Sequence, residues 1–208
     1  MLYLYYFRPG TLDRMNRLKF ILKYIRYYFV AQNENNIHSP FVFDLFTNII
    51  KDTNPFYIYE EIEAIRSELI QSNKKITTRD YGTGKSRKRK VKEIAKHSSK
   101  SPKYAQLLFR LINHFQPETL LELGTSLGIS TLYQAAVSKN SRLITLEGCP
   151  QTAEIAGQNF RKLNMDNIEL TLGDFDDTLP GILKQMKTLD YVFFDGNHRK
   201  ESTISYFQ

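Results

Sequence analysis

The pattern of apolar and polar positions changes at about residue 117. From there on, four short apolar runs end in glycine or an acidic residue: TLLELG, RLITLEG, NIELTLGD and LDYVFFDG. Segments with a helical spacing of apolar residues separate them: STLYQAAVSK, QTAEIAGQNFRKL and DTLPGILKQMK. Buried strands that alternate with helices form parallel sheets with right-handed crossovers. We therefore predict an α/β fold with a doubly wound parallel sheet in residues 101–208.

Upstream of this sheet the pattern predicts helices and loops. A first helix covers about 15–31, and one of its faces is apolar; this face consists of Leu18, Ile21, Leu22, Ile25 and Phe29. We expect this face to pack on protein, although a basic amphipathic helix could also lie on a membrane surface. Pro40 and Pro55 each open a further helix, and Ser101-Pro102 opens the last one before the sheet. The third helix has a regular apolar face, formed by Ile58, Ile62, Ile65 and Leu69.

Residues 72–100 are polar and basic, and we predict a loop with a short helix near 90–97. Within it, GTGKS looks like a phosphate-binding loop. Such a loop needs a glycine five positions before Gly84, where Arg79 stands, and a buried strand upstream. The preceding SNKKITTRD is polar. We therefore exclude a nucleotidase site and interpret the segment as basic and hinged by glycine.

Charge divides the chain in the same way as the apolar pattern. Residues 1–104 contain 20 Lys and Arg against 10 Asp and Glu, whereas residues 105–208 contain 9 against 12. The basic character thus belongs to the first half, which suits an acidic partner or a nucleic acid. Because basic residues interrupt the first apolar helix at Lys19, Lys23 and Arg26, we predict no transmembrane segment.

Two further features concern the environment of the chain. Cys149 is the only cysteine, so no internal disulfide can form, and no secretory signal is visible. Both features favour a reducing cytoplasm. Met15 would make a natural start of its own, so residues 1–14 are a candidate over-called extension.

The candidate chemistry lies at the ends of the four strands, the edge where open α/β sheets bind ligands. In LLELGTSLGISTL, Gly124 and Gly128 let a backbone turn approach a ligand, with a spacing unlike that of dinucleotide binders. Glu147 ends the second strand, where a carboxylate can accept hydrogen bonds from ribose hydroxyls. Asp174 either flanks an adenine or caps a helix. Asp195, after the fourth strand, suggests a metal ligand, a general base or a helix cap.

These four motifs, ELGTSLGIS, TLEG, LGDFDDTLP and LDYVFFDGNH, together resemble class I S-adenosylmethionine-dependent methyltransferases. They are most similar to the small-molecule O-methyltransferases of the catechol and caffeoyl-CoA type. The resemblance implies a Rossmann-like fold and S-adenosylmethionine as cofactor. It implies that the cofactor is bound by Glu122, Gly124, Ser126, Gly128, Ser130, Glu147, Gly173, Asp174 and Phe175.

The same resemblance implies roles for two residues after the fourth strand. Asp195 matches the first metal-binding aspartate of the family, so a divalent metal is one expectation, although the sequence does not offer a full ligand set. His198 stands where metal-dependent members carry a lysine thought to deprotonate the acceptor. We therefore expect Asp195 and His198 to be the catalytic residues, in a mechanism that departs from the catechol enzymes.

The function expected from these features is methyl transfer to a hydroxyl of a small molecule, with an acidic acceptor and a homodimer as further expectations. Residues 1–100 form a helical, basic extension with a lid at 80–100, and residues 101–208 form the methyltransferase domain. Because the resembled fold has seven strands and four are found here, we expect a chain truncated at its C-terminus. The alternatives are a nucleic-acid-binding protein or RNA methyltransferase, and an inactive fragment.

Overall fold

The computed structural model describes residues 14–31, 37–80, 85–197 and 199–207, which divide into two compact units after Lys51. The first unit contains helix α1 (Arg14–Val30), helix α2 (Pro40–Asp44) and a π-helical turn (Leu45–Ile50). Pro40 is the first residue of α2, and the hydroxyl of Ser39 caps it by accepting from the Val42 amide at 3.4 Å. The predicted helices of this unit are therefore confirmed.

The apolar face of α1 is exposed in this unit, from Leu18 to Phe29. What this face packs against therefore stays a prediction. None of the helices in the described ranges is long and apolar enough to cross a membrane. The proposed over-called extension, residues 1–14, lies outside the described residues except for its last one.

The second unit begins at Asp52 and contains the sheet. Its helices are α3 (Tyr57–Gln71), α4 (Val91–His97), α5 (Pro102–Phe115), α6 (Ile129–Ala135), α7 (Pro150–Lys162), α8 (Phe175–Gln185) and α9 (Lys200–Phe207). Its strands are β1 (Lys75–Asp80), β2 (Lys85–Lys90), β3 (Thr119–Leu123), β4 (Arg142–Glu147), β5 (Ile168–Leu172) and β6 (Tyr191–Phe194). Each predicted strand and helix after residue 117 is present.

The four predicted strands form one parallel sheet with the order β5-β4-β3-β6. The chain moves from β3 outward through β4 to β5 and then returns to the other side of β3. Such a reversal creates a crevice at the carboxyl ends of the strands, and open α/β sheets bind their ligands there. The doubly wound α/β prediction is confirmed, and it places the candidate site between the ends of β3 and β6.

The core explains why these segments form strands and helices. Leu120, Leu121 and Leu123 of β3 are almost fully buried, as expected for a central strand covered on both faces. The predicted face of α3 is buried as well, from Ile58 to Leu69, and joins the core cluster that includes residues of α5 and α6. Each such side chain contributes about 1.5–3 kcal/mol by leaving water. Within the second unit, α3, α4 and α5 thus share one core cluster with α6.

The segment predicted as a loop differs from that prediction, because β1 and β2 form an antiparallel hairpin. Ile76 is 3% exposed and belongs to the same core cluster as Val91, the first residue of α4. One buried isoleucine among polar residues is too weak a pattern to predict a strand from sequence. The predicted short helix near 90–97 is present as α4, and the GTG of the apparent phosphate loop lies outside the described residues.

Candidate active site at the carboxyl ends of the strands

The turn after β3 brings two strand ends into close contact. Gly124 has a φ of +107°, and a Cβ atom there would lie 2.8 Å from the backbone C and O of Asp195. Its amide donates to the Leu146 carbonyl at 3.0 Å, and the amide of Asp195 donates to the Leu123 carbonyl at 2.8 Å. Only glycine fits this position, because other residues would be strained and would clash with backbone atoms. The turn therefore fixes where Asp195 lies.

The other two predicted glycines, Gly128 and Gly173, lie directly against neighbouring side chains. Gly128 precedes α6 with a φ of +82°, and a Cβ atom would lie 2.6 Å from the ring of Phe160 on α7. Gly173 has a φ of +153°, and a Cβ atom would lie 2.6 Å from the Thr178 methyl group. These close contacts explain why a residue without a Cβ atom is needed at both positions. The part of both glycines in cofactor binding stays a prediction.

Glu147 lies at the end of β4, beside the turn that follows β3. Its carboxylate accepts from the Ser126 amide at 2.7 Å and from the Cys149 amide at 2.8 Å. Burial raises the pKa of Glu147, while these amide hydrogen bonds act in the opposite direction. A carboxylate offers about four acceptor positions, and the Ser126 and Cys149 amides use one on each oxygen of Glu147. Ser126 itself has a φ of +52°, which aims its amide at Glu147.

Glu122 lies deeper than expected, fully buried in the middle of the sheet. Its two oxygens accept from four side chains: Ser130 at 2.9 Å, Gln134 at 2.7 Å, Thr145 at 2.7 Å and Thr131. Burial raises the pKa of Glu122, and these hydrogen bonds oppose that effect. Glu122 and Ser130 therefore bind each other inside the protein, and the structure provides no exposed carboxylate atom of Glu122 for a ligand.

Three predicted residues, Gly173, Asp174 and Phe175, follow β5. The Gly173 amide donates to the Glu147 carbonyl at 3.0 Å, which brings this segment next to the end of β4. Asp174 caps α8, because its carboxylate accepts from the Asp176 amide at 3.1 Å. Phe175 is half-buried, and a Cβ atom on Gly196 would lie 2.7 Å from its ring. Of the two sequence interpretations of Asp174, the structure thus shows the cap.

Asp195 follows β6 and pairs with a lysine that sequence reasoning did not select. The Lys100 ammonium lies 2.7 Å from Oδ1 of Asp195 and 5.7 Å from the ring centre of Phe193. The sequence signal was weak, because Lys100 is one of many basic residues in its segment. His198, the other predicted catalytic residue, lies outside the described residues. Within the ranges that the structure describes, no three metal-ligating side chains come together.

The hairpin of β1 and β2 contacts the start of α7, close to Glu147. The Thr77 amide donates to Oε1 of Gln151 at 2.5 Å, and the Cys149 thiol lies 3.4 Å from the Thr77 carbonyl. Cys149 and Gln151 both come within four residues of Glu147. The basic hairpin is therefore attached to the same end of the sheet as the candidate site.

Comparison with known proteins agrees with this geometry. Residues 121–208 match the family model described as a methyltransferase domain. The chain is 34% identical over 113 residues to a catechol O-methyltransferase of Niastella koreensis, which covers 53% of this chain and 50% of that protein. It is 37% identical over 91 residues to the human transmembrane O-methyltransferase, covering 42% of this chain and 31% of that protein. The chain thus spans half or less of the length of these curated relatives.

Solved structures share the fold. The O-methyltransferase from Bacillus cereus, in complex with SAH, superposes with a TM-score of 0.54 at 23% identity, covering 74% of this chain and 60% of that one. The O-methyltransferase TomG from Streptomyces achromogenes, in complex with SAM, gives 0.53 at 20% identity, covering 85% and 67%. The C-terminal part of this chain is therefore similar in sequence to a methyltransferase domain and to O-methyltransferases, and it shares their fold.

Proposed function

We propose that this protein transfers the methyl group of S-adenosylmethionine to a hydroxyl of a small molecule. The observation that carries the proposal is the carboxylate of Glu147, which lies at the carboxyl edge of the sheet, one strand from the topological switch point between β3 and β6, and is held by the Ser126 and Cys149 amides. Support comes from the curated relatives, which are O-methyltransferases, and from the solved structures with SAH or SAM bound.

The residues at the strand ends fit this cofactor. Glu147 would accept hydrogen bonds from the ribose hydroxyls, because its carboxylate ends β4 at the edge of the sheet where open α/β sheets bind their ligands. The turn at Gly124 would face the methionine part, and the half-buried ring of Phe175 would flank the adenine. When bound, the sulfonium of the cofactor supplies an electrophilic methyl group.

We assign Glu122 and Ser130 a supporting part in this site. Ser130 lies in the first turn of α6, and its hydroxyl donates to Glu122 on β3. Glu122 thereby links the central strand to the helix that follows the Gly124 turn. Both residues would hold the turn in the shape that admits the cofactor, rather than contact the cofactor with their side chains.

Asp195, His198 and the hairpin of β1 and β2 would act on the methyl acceptor. Asp195 and His198 stay our candidates for the catalytic residues, with His198 as the proton acceptor because an imidazole titrates near neutral pH. The hairpin of β1 and β2 would cover the site as a lid, and its basic charge suits an acidic acceptor. A homodimer stays a prediction, and the comparisons give no support to the nucleic-acid alternative.

A resident divalent metal does not fit the described residues. Oδ1 of Asp195 is paired with the ammonium of Lys100, and a divalent ion at that oxygen would be repelled by this charge. The described part of the chain also brings no three ligating side chains together, whereas such ions take several oxygen ligands. We therefore assign no step of the reaction to a metal.

A methyl-transfer assay tests the proposed function. The full chain is incubated with S-adenosylmethionine carrying a labelled methyl group and with 3,4-dihydroxybenzoate, an acidic catechol, and the labelled product is measured. We expect methylated product and S-adenosylhomocysteine in equal amounts. A heat-denatured sample is the control. A folded protein that binds S-adenosylhomocysteine but methylates neither this probe nor other catechols would contradict the acceptor class.

A further inference from the structure

Lys100 and Asp195 form a partly buried charged pair at the candidate site. The ammonium of Lys100 lies 2.7 Å from Oδ1 of Asp195, with the two side chains 30% and 13% exposed. Lys100 lies in the short segment between α4 and α5, and Asp195 directly follows β6. The pair therefore joins the part of the unit before the sheet to the strand end beside the Gly124 turn.

Lys100 is partly buried and contacts an aromatic ring as well as Asp195. Its ammonium also lies 5.7 Å from the ring centre of Phe193, which adds a cation–π contact. Partial burial lowers the screening of the charge, so an ion pair here is stronger than an exposed one. An ammonium has three N–H donors, and one of them is sufficient for Asp195. Lys100 can thus hold Asp195 and still donate to a second oxygen.

We propose that Lys100 is a catalytic residue that binds the acceptor oxygen and stabilises its anionic form. This inference rests on the proposed function. The acceptor O–H bond breaks and its proton passes to the general base of the proposed function, for which His198 is our candidate, while the ammonium of Lys100 lowers the free energy of the resulting oxyanion. An oxygen lone pair then forms the bond to the methyl carbon. The S–CH₃ bonding pair stays on sulfur, which leaves neutral S-adenosylhomocysteine.

The ion pair with Lys100 also explains how the negative charge of Asp195 can lie beside the acceptor. Without a counter-charge, a carboxylate beside the acceptor would oppose the formation of an oxyanion, because like charges repel. The Lys100 ammonium neutralises Asp195 and leaves the pair close to neutral overall. The Gly124 turn supports this arrangement, since the backbone C and O of Asp195 lie only 2.8 Å from where a Cβ atom on Gly124 would stand. The geometry therefore assigns Asp195 to the orientation of Lys100.

The test uses 4-nitrocatechol, whose phenolate absorbs visible light, as a probe of oxyanion stabilisation. Wild-type protein, Lys100→Met, Lys100→Arg and the control Lys103→Met are each saturated with S-adenosylhomocysteine at one fixed pH in the presence of EDTA. Lys103 is exposed in the first turn of α5 and serves as a matched lysine. The phenolate fraction of the bound probe is read from its spectrum, and catechol methylation is measured in parallel.

We expect wild type and Lys103→Met to raise the phenolate fraction equally, Lys100→Arg to retain part of the effect, and Lys100→Met to lose it. The loss of a charged hydrogen bond predicts that Lys100→Met lowers kcat/KM about 10- to 100-fold. Circular dichroism confirms that each variant is folded. The inference is overturned if Lys100→Met raises the phenolate fraction as much as wild type, or if wild type raises it in a parallel sample without EDTA but not in the sample with EDTA.

A calorimetric titration separates this inference from the proposed function. If wild type and Lys100→Met both bind S-adenosylhomocysteine, but the probe responds equally to both, only the role of Lys100 is wrong. If folded wild-type protein binds no S-adenosylhomocysteine, the proposed function is wrong, and the inference that rests on it is wrong as well.

Discussion

Replacing Glu147 by glutamine tests the central carboxylate of the site with the smallest change in shape. The amide group keeps one acceptor oxygen and replaces the other with an NH₂ group, which cannot accept. The Ser126 and Cys149 amides donate to different oxygens of Glu147, at 2.7 and 2.8 Å, so one of them loses its acceptor. A hydrogen bond to a charged group contributes about 1.5–3 kcal/mol, and we expect Glu147→Gln to lower the free energy of unfolding by about this amount.

The effect on the cofactor follows from the same change. The ribose hydroxyls would lose one charged acceptor, which corresponds to a loss of about 10- to 100-fold in affinity for S-adenosylhomocysteine. Urea denaturation measures the stability, and calorimetric titration measures the affinity. The matched control is Glu154→Gln, an exposed glutamate on α7, which should change stability by no more than about 0.5 kcal/mol. The reasoning fails if folded Glu147→Gln binds with wild-type affinity, or if Glu154→Gln weakens binding equally.

Gly124→Ala should lower the free energy of unfolding by about 1–3 kcal/mol, because its φ is +107° and the added Cβ would lie 2.8 Å from backbone atoms of Asp195; thermal denaturation measures this. Glu122→Gln should make the stability of the protein less dependent on pH, which urea denaturation at several pH values would detect. Gln151→Ala should expose the hairpin to proteolysis without changing global stability, because its side chain holds the Thr77 amide.

The sign of the pH effect follows from the direction of the pKa shift. Burial raises the pKa of Glu122 in the folded state, so the folded protein binds more protons than the unfolded one above the ordinary pKa of glutamate. The wild-type protein therefore loses stability as the pH rises from the unfolded pKa through the folded one. Glu122→Gln lacks this titration, so its stability relative to wild type should rise over that window. An unchanged difference between the two proteins across pH would contradict the shift.

The other two predictions have equally simple controls. Gly181→Ala lies on α8 with no atom within 4 Å of its added Cβ, and it should raise stability by about 0.5–1 kcal/mol. A Gly124→Ala protein as stable as Gly181→Ala would contradict the close approach at Asp195. Gln158→Ala, on the exposed part of α7, is the control for Gln151→Ala. Equal rates of cleavage in the hairpin of these two variants would show that Gln151 does not hold it.

The sheet could be predicted from sequence because its signal is local. Each strand is a short apolar run such as TLLEL, bounded by glycine or an acidic residue, and burial on both faces requires that composition. The apolar face of α3 was equally clear, since its helical spacing continues over four turns and all of it is buried. The hairpin was missed because, among those of its residues whose burial is described, only Ile76 is buried in the core.

The site was only partly predictable, for a different reason. Glycine and acidic residues at strand ends can be read from sequence, and Gly124, Glu147 and Asp195 do lie together at one edge. Whether a carboxylate faces a ligand depends on its partners. Glu122 is saturated by four side chains from two other elements, which no local pattern indicates. Lys100 reaches Asp195 across 95 residues of sequence, so only the fold brings the pair together.

A calorimetric titration of S-adenosylhomocysteine into the folded chain tests the central claim most directly. The account predicts one saturable site per chain, weakened by Glu147→Gln and unchanged in Glu154→Gln. Circular dichroism and a cooperative denaturation curve establish that the protein is folded before the titration. A folded protein that shows no binding would contradict the assignment of the strand ends as a cofactor site, and the proposed methyl transfer would be wrong for this chain.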